Sequence, residues 1–297
     1  MNRVIALGFF DGVHFGHQAL LARAGLHAAR LGLPSLALSL DRHPDALLRG
    51  TAPPLLLTSK QRKARLMASG MEEVFLLPFD KALQELPWEG FIQNVLIDTF
   101  HAAYVVCGES YRFGWRGEGT PEKLYKKCME ANIGCEILPT VMQEGCPVSS
   151  TRIRSLLSSG QIEKANALLG YAYALSGRVC HGNALGRTLG APTANVQPDP
   201  ALALPQTGVY ITKVHCPGGC YPAVTNLGCR PTLDGGALCM ESFLQGFEGD
   251  LYGQEITVEF YRFLRPERRF SGLSELKKEI MRDAMAASGY FTQEALQ

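Results

Sequence analysis

Short apolar runs punctuate the first part of the chain, each followed by a longer stretch whose apolar positions recur at helical spacing. "RVIAL" predicts a strand, and the stretch from about Gly16 to Leu31 predicts a helix with Leu20, Ala24, Ala28 and Leu31 on one face. "LPSLALSL" predicts the next strand, ended by Asp41, and further strands follow at "EVFLLPF", "AYVVCG" and "CEILPTV". Helical patterns lie between them at "TSKQRKARLMASG", "EGFIQNVLIDTF" and "TPEKLYKKCMEA", with Thr58 and Thr120 as N-caps. Strands separated by helices predict parallel βαβ units in a doubly wound sheet. Such sheets bind ligands at the carboxyl ends of their strands, the edge where "GFFDGVHFGH" (Gly8 to His17) falls.

After about Tyr171 the rhythm changes. "YALSGRV", "GVYITKV", "YPAVTNLG", "CMESFLQGF" and "ITVEFYRFL" read as strands separated by glycine, proline and aspartate turns. In the last, Ile256, Val258 and Phe260 alternate with Thr257, Glu259 and Tyr261, the period-two signature of a strand with two different faces. A helical pattern returns only at "SGLSELKKEIMRDAMAA". The fold class is therefore α/β plus all-β: a Rossmann-like domain over residues 1–170 and a small β-barrel with a terminal helix over 171–297.

Composition narrows the partners. A formal net charge of +1 gives no electrostatic case for a nucleic-acid or membrane-surface partner. No apolar run approaches the roughly 18 residues that span a bilayer, and "MNRVIALGFFDG" lacks the features of a signal peptide. The nine cysteines are scattered without paired metal-ligand spacing; reduced thiols and a cytoplasmic location are expected.

Three stretches carry chemistry. In "GFFDGVHFGH", the imidazoles of His14 and His17 suit hydrogen bonding to phosphate oxygens, and Gly16 lets a ligand approach the backbone at a helix N-terminus. Metal binding competes with that reading, as does a purely structural turn. "VSSTRIRSLL" places Ser149, Ser150 and Thr151 before Arg152 and Arg154, equally an ordinary N-cap or a phosphate clamp. In "SGRVCHGNALGRTLGAPTANV", Gly182, Gly186 and Gly190 permit a phosphate-wrapping loop. Thr193 and Asn195 put side-chain oxygens on one face of an extended segment, a donor set suited to Mg²⁺; a glycine-rich barrel turn is the alternative.

Taken together these stretches resemble the bacterial bifunctional riboflavin kinase/FMN adenylyltransferases, the FAD synthetases. "GFFDGVHFGH" resembles that family's G-x-F-D-G-V-H-x-G-H signature, and "VSSTRIR" its second signature. "DRHPDALL" is similar to its histidine-proline segment and "CGESYRFG" to its flavin-side element. The resemblance implies adenylyl transfer in the first domain: FMN phosphate attacks the α-phosphorus of ATP and pyrophosphate leaves. His14 and His17 would stabilise the phosphates in the transition state, and Ser150, Thr151 and Arg152 would hold the pyrophosphate. Gly8, Phe10, Asp11, Gly16, His43 and Arg154 would complete the ATP site, with Arg112 and Phe113 on the flavin side. "GRTLGAPTAN", including Arg187, resembles the riboflavin kinase signature, as do "AVTNLGCRPT" and "ESFLQGFEGDLYG". There Glu241 matches the general base for the ribityl hydroxyl attacking the γ-phosphorus of ATP, a role a neutral alcohol calls for. Arg265 and Phe270 are the implied flavin neighbours in "FLRPERRF". The implied substrates are riboflavin, FMN and ATP, with Mg²⁺ accompanying ATP and no nucleic acid or membrane involved.

Some positions depart from the family pattern. Ala191 replaces a phenylalanine, Phe243 a histidine, and Gln245 with Gly246 a leucine-aspartate pair; Glu109 and Ser110 open the flavin-side element. None removes a residue assigned to phosphate chemistry. A flavin-binding protein without turnover, or a chain retaining one activity, are the competing functions, and product analysis separates them.

Overall fold

The computed structural model describes residues 1–180, 193–229, 238–268 and 270–294. The chain divides into two compact units, Met1–Arg152 and Ile153–Gln297.

In the first unit, β1 (Arg3–Leu7), β2 (Ser35–Leu40), β3 (Glu73–Leu77), β4 (Ala102–Gly108) and β5 (Gly134–Leu138) form a parallel sheet of order β3-β2-β1-β4-β5. From Val4 to Leu7 the central strand β1 is apolar because both its faces are covered. Ile5 and Leu7 pack in one core with Leu36, Leu38 and Leu124, whereas Val4 and Ala6 pack in the other with Leu20, Ala24 and Leu66. Helix α1 (Phe15–Leu31) is capped by His14 and stopped by Gly32 in the left-handed conformation, φ 65°. Leu20, Leu21, Ala24 and Ala28 form its buried stripe, while Leu31, expected on that face, is exposed where the helix ends. Helix α2 (Ser59–Ala68) begins with a capping box between Thr58 and Gln61, and α3 (Pro121–Glu130) with Thr120, both caps as expected. The stretch "EGFIQNVLIDTF" winds instead as a π-helix over Phe91–Thr99, closed by Phe100 N–H donating to Val95 O at 3.0 Å.

Helix α4 (Ser150–Ser158) is followed by α5 (Ile162–Leu169), which belongs with the second unit. Asn166 on α5 donates to Phe260 O at 2.8 Å and accepts from Tyr173 N–H at 2.8 Å, tying the helix to the barrel. The barrel strands are β8 (Tyr173–Cys180), β9 (Thr193–Val196), β10 (Gly208–Cys216), β11 (Gly219–Cys229), β12 (Leu238–Leu244) and β13 (Glu255–Arg265), numbered after the small hairpin of β6 (Met142–Gln143) and β7 (Cys146–Pro147). They close in the order β10-β11-β12-β9-β8-β13, every neighbour antiparallel. Thr212, Thr225 and Ser242 are fully buried and linked hydroxyl to hydroxyl at 2.8 Å, so three polar groups are satisfied without water.

Helix α6 (Leu273–Glu294) covers one patch of the barrel. Ala284 and Ala287 pack with Val209, Ile211 and Val224, and Phe243 joins this cluster. Gln245 donates to Ala284 O at 2.7 Å and accepts from the Ser288 hydroxyl. Two departures from the family pattern, Phe243 and Gln245, thus attach the terminal helix. Replacing Gln245 with alanine removes bonds worth about 1 kcal/mol each. Amide hydrogens of α6 should then exchange roughly thirtyfold faster, while those of β1 and β4 keep their protection.

Candidate active sites

The turn after β1 is strained. Phe10 and Val13 have φ of 57° and 38°, and Gly12 has φ of 81°. Left-handed backbone at non-glycine residues costs on the order of 1–3 kcal/mol each and persists only where neighbours over-determine it. Here they do. The buried Asp11 carboxylate accepts from Leu56 N–H at 2.9 Å and Leu57 N–H at 3.3 Å, while Asp11 O accepts from the Ser150 hydroxyl at 2.8 Å. Phe9 O accepts from Ser39 Oγ at 2.8 Å and from Arg62 Nη1 at 3.2 Å, and Val13 O accepts from Gln18 Nε2 at 2.8 Å. Gly8 is required as well: a Cβ there would lie 2.8 Å from the Phe10 ring.

This turn aims two imidazoles. His14 and His17 stack with centroids 3.7 Å apart and planes 14° apart. His14 Nδ1 accepts from His17 N–H at 3.4 Å, which leaves the proton of neutral His14 on Nε2. The buried His17 Nδ1 has no hydrogen-bond partner. Burial first, then His14 and then Arg62, hold the His17 pKa well below the ordinary 6.5, so the ring is neutral at physiological pH. Gly16 sits against the His14 ring, where a Cβ would be only 3.3 Å away.

A cavity of about 430 Å³ opens at the carboxyl edge of this sheet. Gly8, Phe10, His17, Arg112 and Phe113 all line it, so the string after β1 and the "SYRFG" element meet in one place. Ser110, a departure in the flavin-side element, lines it too, as do Phe9, Leu40 and Tyr111, which were not singled out from the sequence. Burial pushes the Tyr111 phenol up, which keeps it protonated. His14, His43, Ser150, Thr151, Arg152 and Arg154 are not among the lining residues. His43 is edge-on to the Phe9 ring at 5.0 Å and accepts from Asp45 N–H at 3.1 Å through Nδ1. Ser149 caps α4 by accepting from Arg152 N–H at 3.3 Å. The Arg152 side chain donates to Gln143 O at 3.2 Å and Cys146 O at 3.3 Å on the β6–β7 hairpin.

In the barrel, strand register assembles the second constellation. Glu241 on β12 lies opposite Asn195 on β9 and Asn226 on β11, and Phe243 lies opposite Thr193. Directly opposed residues share a face, so Thr193, Asn195, Glu241 and Asn226 project on one side. That side also carries Val224 and Phe243, which pack with α6, and is opposite to the buried Thr225 and Ser242. Asn195 is buried, with Nδ2 donating to Thr193 O at 3.3 Å. Asn226 donates to Glu267 Oε1 at 3.1 Å, and its buried Oδ1 is without a partner. Arg265 is engaged by α6, at 2.7 Å from Asp283 Oδ2 and 3.5 Å from Glu279 Oε1, with its guanidinium 5.8 Å from the Phe270 ring centroid. Gly182, Gly186, Arg187 and Gly190 lie outside the described residues.

The family model for FAD synthetase matches residues 1–152, and the model for riboflavin kinase matches residues 169–291. A bifunctional riboflavin kinase/FMN adenylyltransferase of Listeria monocytogenes is 34% identical over 99% of this chain and 94% of its own length. Those of Pseudomonas fluorescens and Escherichia coli (strain K12) are each 36% identical, covering 96% and 97% of this chain and 91% and 92% of their own lengths. The chain belongs to the bifunctional riboflavin kinase/FMN adenylyltransferase family. A crystal structure of a Streptococcus pneumoniae protein described as a macrolide-efflux protein is 30% identical, with a TM-score of 0.89 over 97% of this chain and 94% of that one. Among the described residues no helix is long and apolar enough to cross a membrane.

The neutral His17 gives a pH signature. Its lowered pKa means that the unfolded chain binds more protons below pH 6.5, so this contribution to stability is complete above 6.5 and is lost on acidification. The denaturation midpoint of the first unit should fall as pH drops below 6.5, and His17→Gln should flatten that fall.

Proposed function

We propose that this chain carries out two successive transfers from ATP in FAD biosynthesis. In the first, the 5′-hydroxyl of riboflavin attacks the γ-phosphorus, the bond to the β-γ bridging oxygen breaks, and FMN and ADP form. In the second, an FMN phosphate oxygen attacks the α-phosphorus of another ATP, releasing pyrophosphate and forming FAD. Residues 1–170 are assigned the adenylyl transfer and 171–297 the kinase reaction. The observation that carries this reading is the coincidence of the two family models with the two compact units, one model on each.

The roles follow from what each nucleophile needs. The ribityl hydroxyl is neutral and must lose a proton as it attacks, so Glu241 acts as the base. The FMN phosphate is already an anion, and its reaction calls for charge stabilisation and alignment. His14 supplies an Nε2–H donor, His17 a ring beside the cavity, and Ser150, Thr151, Arg152 and Arg154 the helix start that receives pyrophosphate. The cavity walls at Arg112 and Phe113 take the flavin side. The side-chain oxygens of Thr193 and Asn195 suit Mg²⁺, a hard ion that shares its coordination with phosphates and water. Among the described residues no cluster of three His, Cys, Asp or Glu offers a metal cage, which fits an ion shared with ATP. When bound, Mg²⁺ neutralises phosphate charge as the γ-phosphoryl group transfers.

Chromatography of flavins formed from riboflavin, ATP and Mg²⁺ tests this, with FMN and then FAD expected. Glu241→Ala should slow FMN formation by on the order of 10²–10⁴-fold, yet leave FAD formation from supplied FMN intact. His17→Ala should do the reverse, with a loss on the order of 10²-fold or more. Crossed effects would overturn the division of labour, and bound flavin with no product would overturn turnover itself.

A further inference from the structure

The first unit buries a cation that the reaction chemistry above does not use. Arg62 on α2 is 1% exposed, the largest of the fully buried side chains among the described residues. Its stretch, "TSKQRKARLMASG", holds three other basic residues, Lys60, Lys63 and Arg65, and only Arg62 and Leu66 of α2 are buried. A guanidinium taken out of water costs several kcal/mol unless compensated. The compensation here is directed at the candidate site.

Nη2 donates to Leu40 O at 2.6 Å and to Asp41 O at 3.4 Å, while Nη1 donates to Phe9 O at 3.2 Å. One planar group therefore bridges the carboxyl ends of β1 and β2, the two strand ends whose residues Leu7, Gly8, Phe9 and Leu40 line the cavity. The guanidinium carbon also lies 4.3 Å from the Phe9 ring centroid, and that ring meets the edge-on imidazole of His43 as well. Arg62 Nε is buried without a partner, so the group is placed for its two Nη atoms and its charge rather than for complete satisfaction. Burial lowers its pKa while Asp11 and then Asp41 raise it, and it remains a cation at physiological pH. Its field reaches His17 as well.

We propose that Arg62 is a positioning residue for adenylyl transfer, holding Phe9, and through it His43, at the carboxyl edge where the cavity opens. The inference rests on the reading of that cavity as the adenylyl-transfer site. It assigns α2, which carries no residue of either signature, a part in the reaction. Loss of Arg62 leaves Phe9 O held by Ser39 Oγ alone and uncovers one face of the Phe9 ring, and the error appears in alignment for the transfer rather than in gathering substrates. Interactions realised in the transition state alter kcat, whereas uniform binding alters KM.

The test uses the full chain, with FMN, ATP and Mg²⁺ supplied. Arg62→Met, which fills the space without charge or donors, should lower kcat for FAD formation by on the order of a hundredfold, with KM for FMN and ATP little changed. Arg62→Lys, which keeps the charge but cannot bridge two carbonyls in one plane, should fall between this variant and the parent. FMN formation from riboflavin should stay at the parent rate in both. If Arg62→Met does not fold, Arg62→Lys decides by the same criterion of reduced kcat at constant KM. A parent-like kcat in a folded variant, or a loss confined to KM, overturns the proposal. Should His17→Ala also keep full FAD formation, the site reading has failed; if His17→Ala loses it and the Arg62 variants do not, only the positioning role has failed.

Discussion

The first unit depends on one buried carboxylate. Asp11 occupies a turn whose neighbours Phe10, Gly12 and Val13 all have positive φ, and it draws two N–H groups from residues 56 and 57 onto itself. An unpaired buried carboxylate would be very costly, so those bonds, the Arg62 charge and the turn form together or not at all. Because Asp11 O also receives the Ser150 hydroxyl, the start of the second signature helix is tied to the same turn. Distant segments are thereby brought to one strand edge, and the histidine stack points where its neighbours require.

The barrel reaches a comparable result by register. Antiparallel pairing sets Asn195, Glu241 and Asn226 in one row, and the alternation of the strands sends Thr225 and Ser242 to the interior instead. A shift of one residue in β12 would bury Glu241 and expose the hydroxyl chain. The interior bonds and the α6 attachment through Phe243 and Gln245 both penalise that slip. Interior bonds on one face and helix docking on the other thus both hold Glu241 in its register.

Much of this was legible in the chain. The apolar runs gave all five parallel strands because each is short, β-branched or leucine-rich and flanked by helical spacing, and Thr58 and Thr120 announced their caps. Motif likeness singled out Glu241, Thr193 and Asn195 as candidates, and register accounts for their sharing one face. Other features were hidden for physical reasons. Arg62 has basic neighbours on both sides, and only tertiary contacts distinguish the buried guanidinium from the solvated ones. The π-helix at Phe91–Thr99 keeps apolar positions that suit an α-helix as well. Strand β9 spans only four residues, too few for alternation to announce it. The attachment of Arg265 to Asp283 and Glu279 depends on where α6 docks, which no local pattern encodes.

We propose that two phosphorus atoms of ATP are attacked at two separate sites, one in each unit. ATP labelled with radioactive phosphorus at either the α or the γ position, given with riboflavin and Mg²⁺, tests it most directly. FAD should acquire both labels, the γ label in its flavin phosphate and the α label in its adenylyl half. Glu241→Ala given FMN should still incorporate the α label. FAD carrying a single label in the parent, or loss of α-label transfer in Glu241→Ala, would rule out two separate sites.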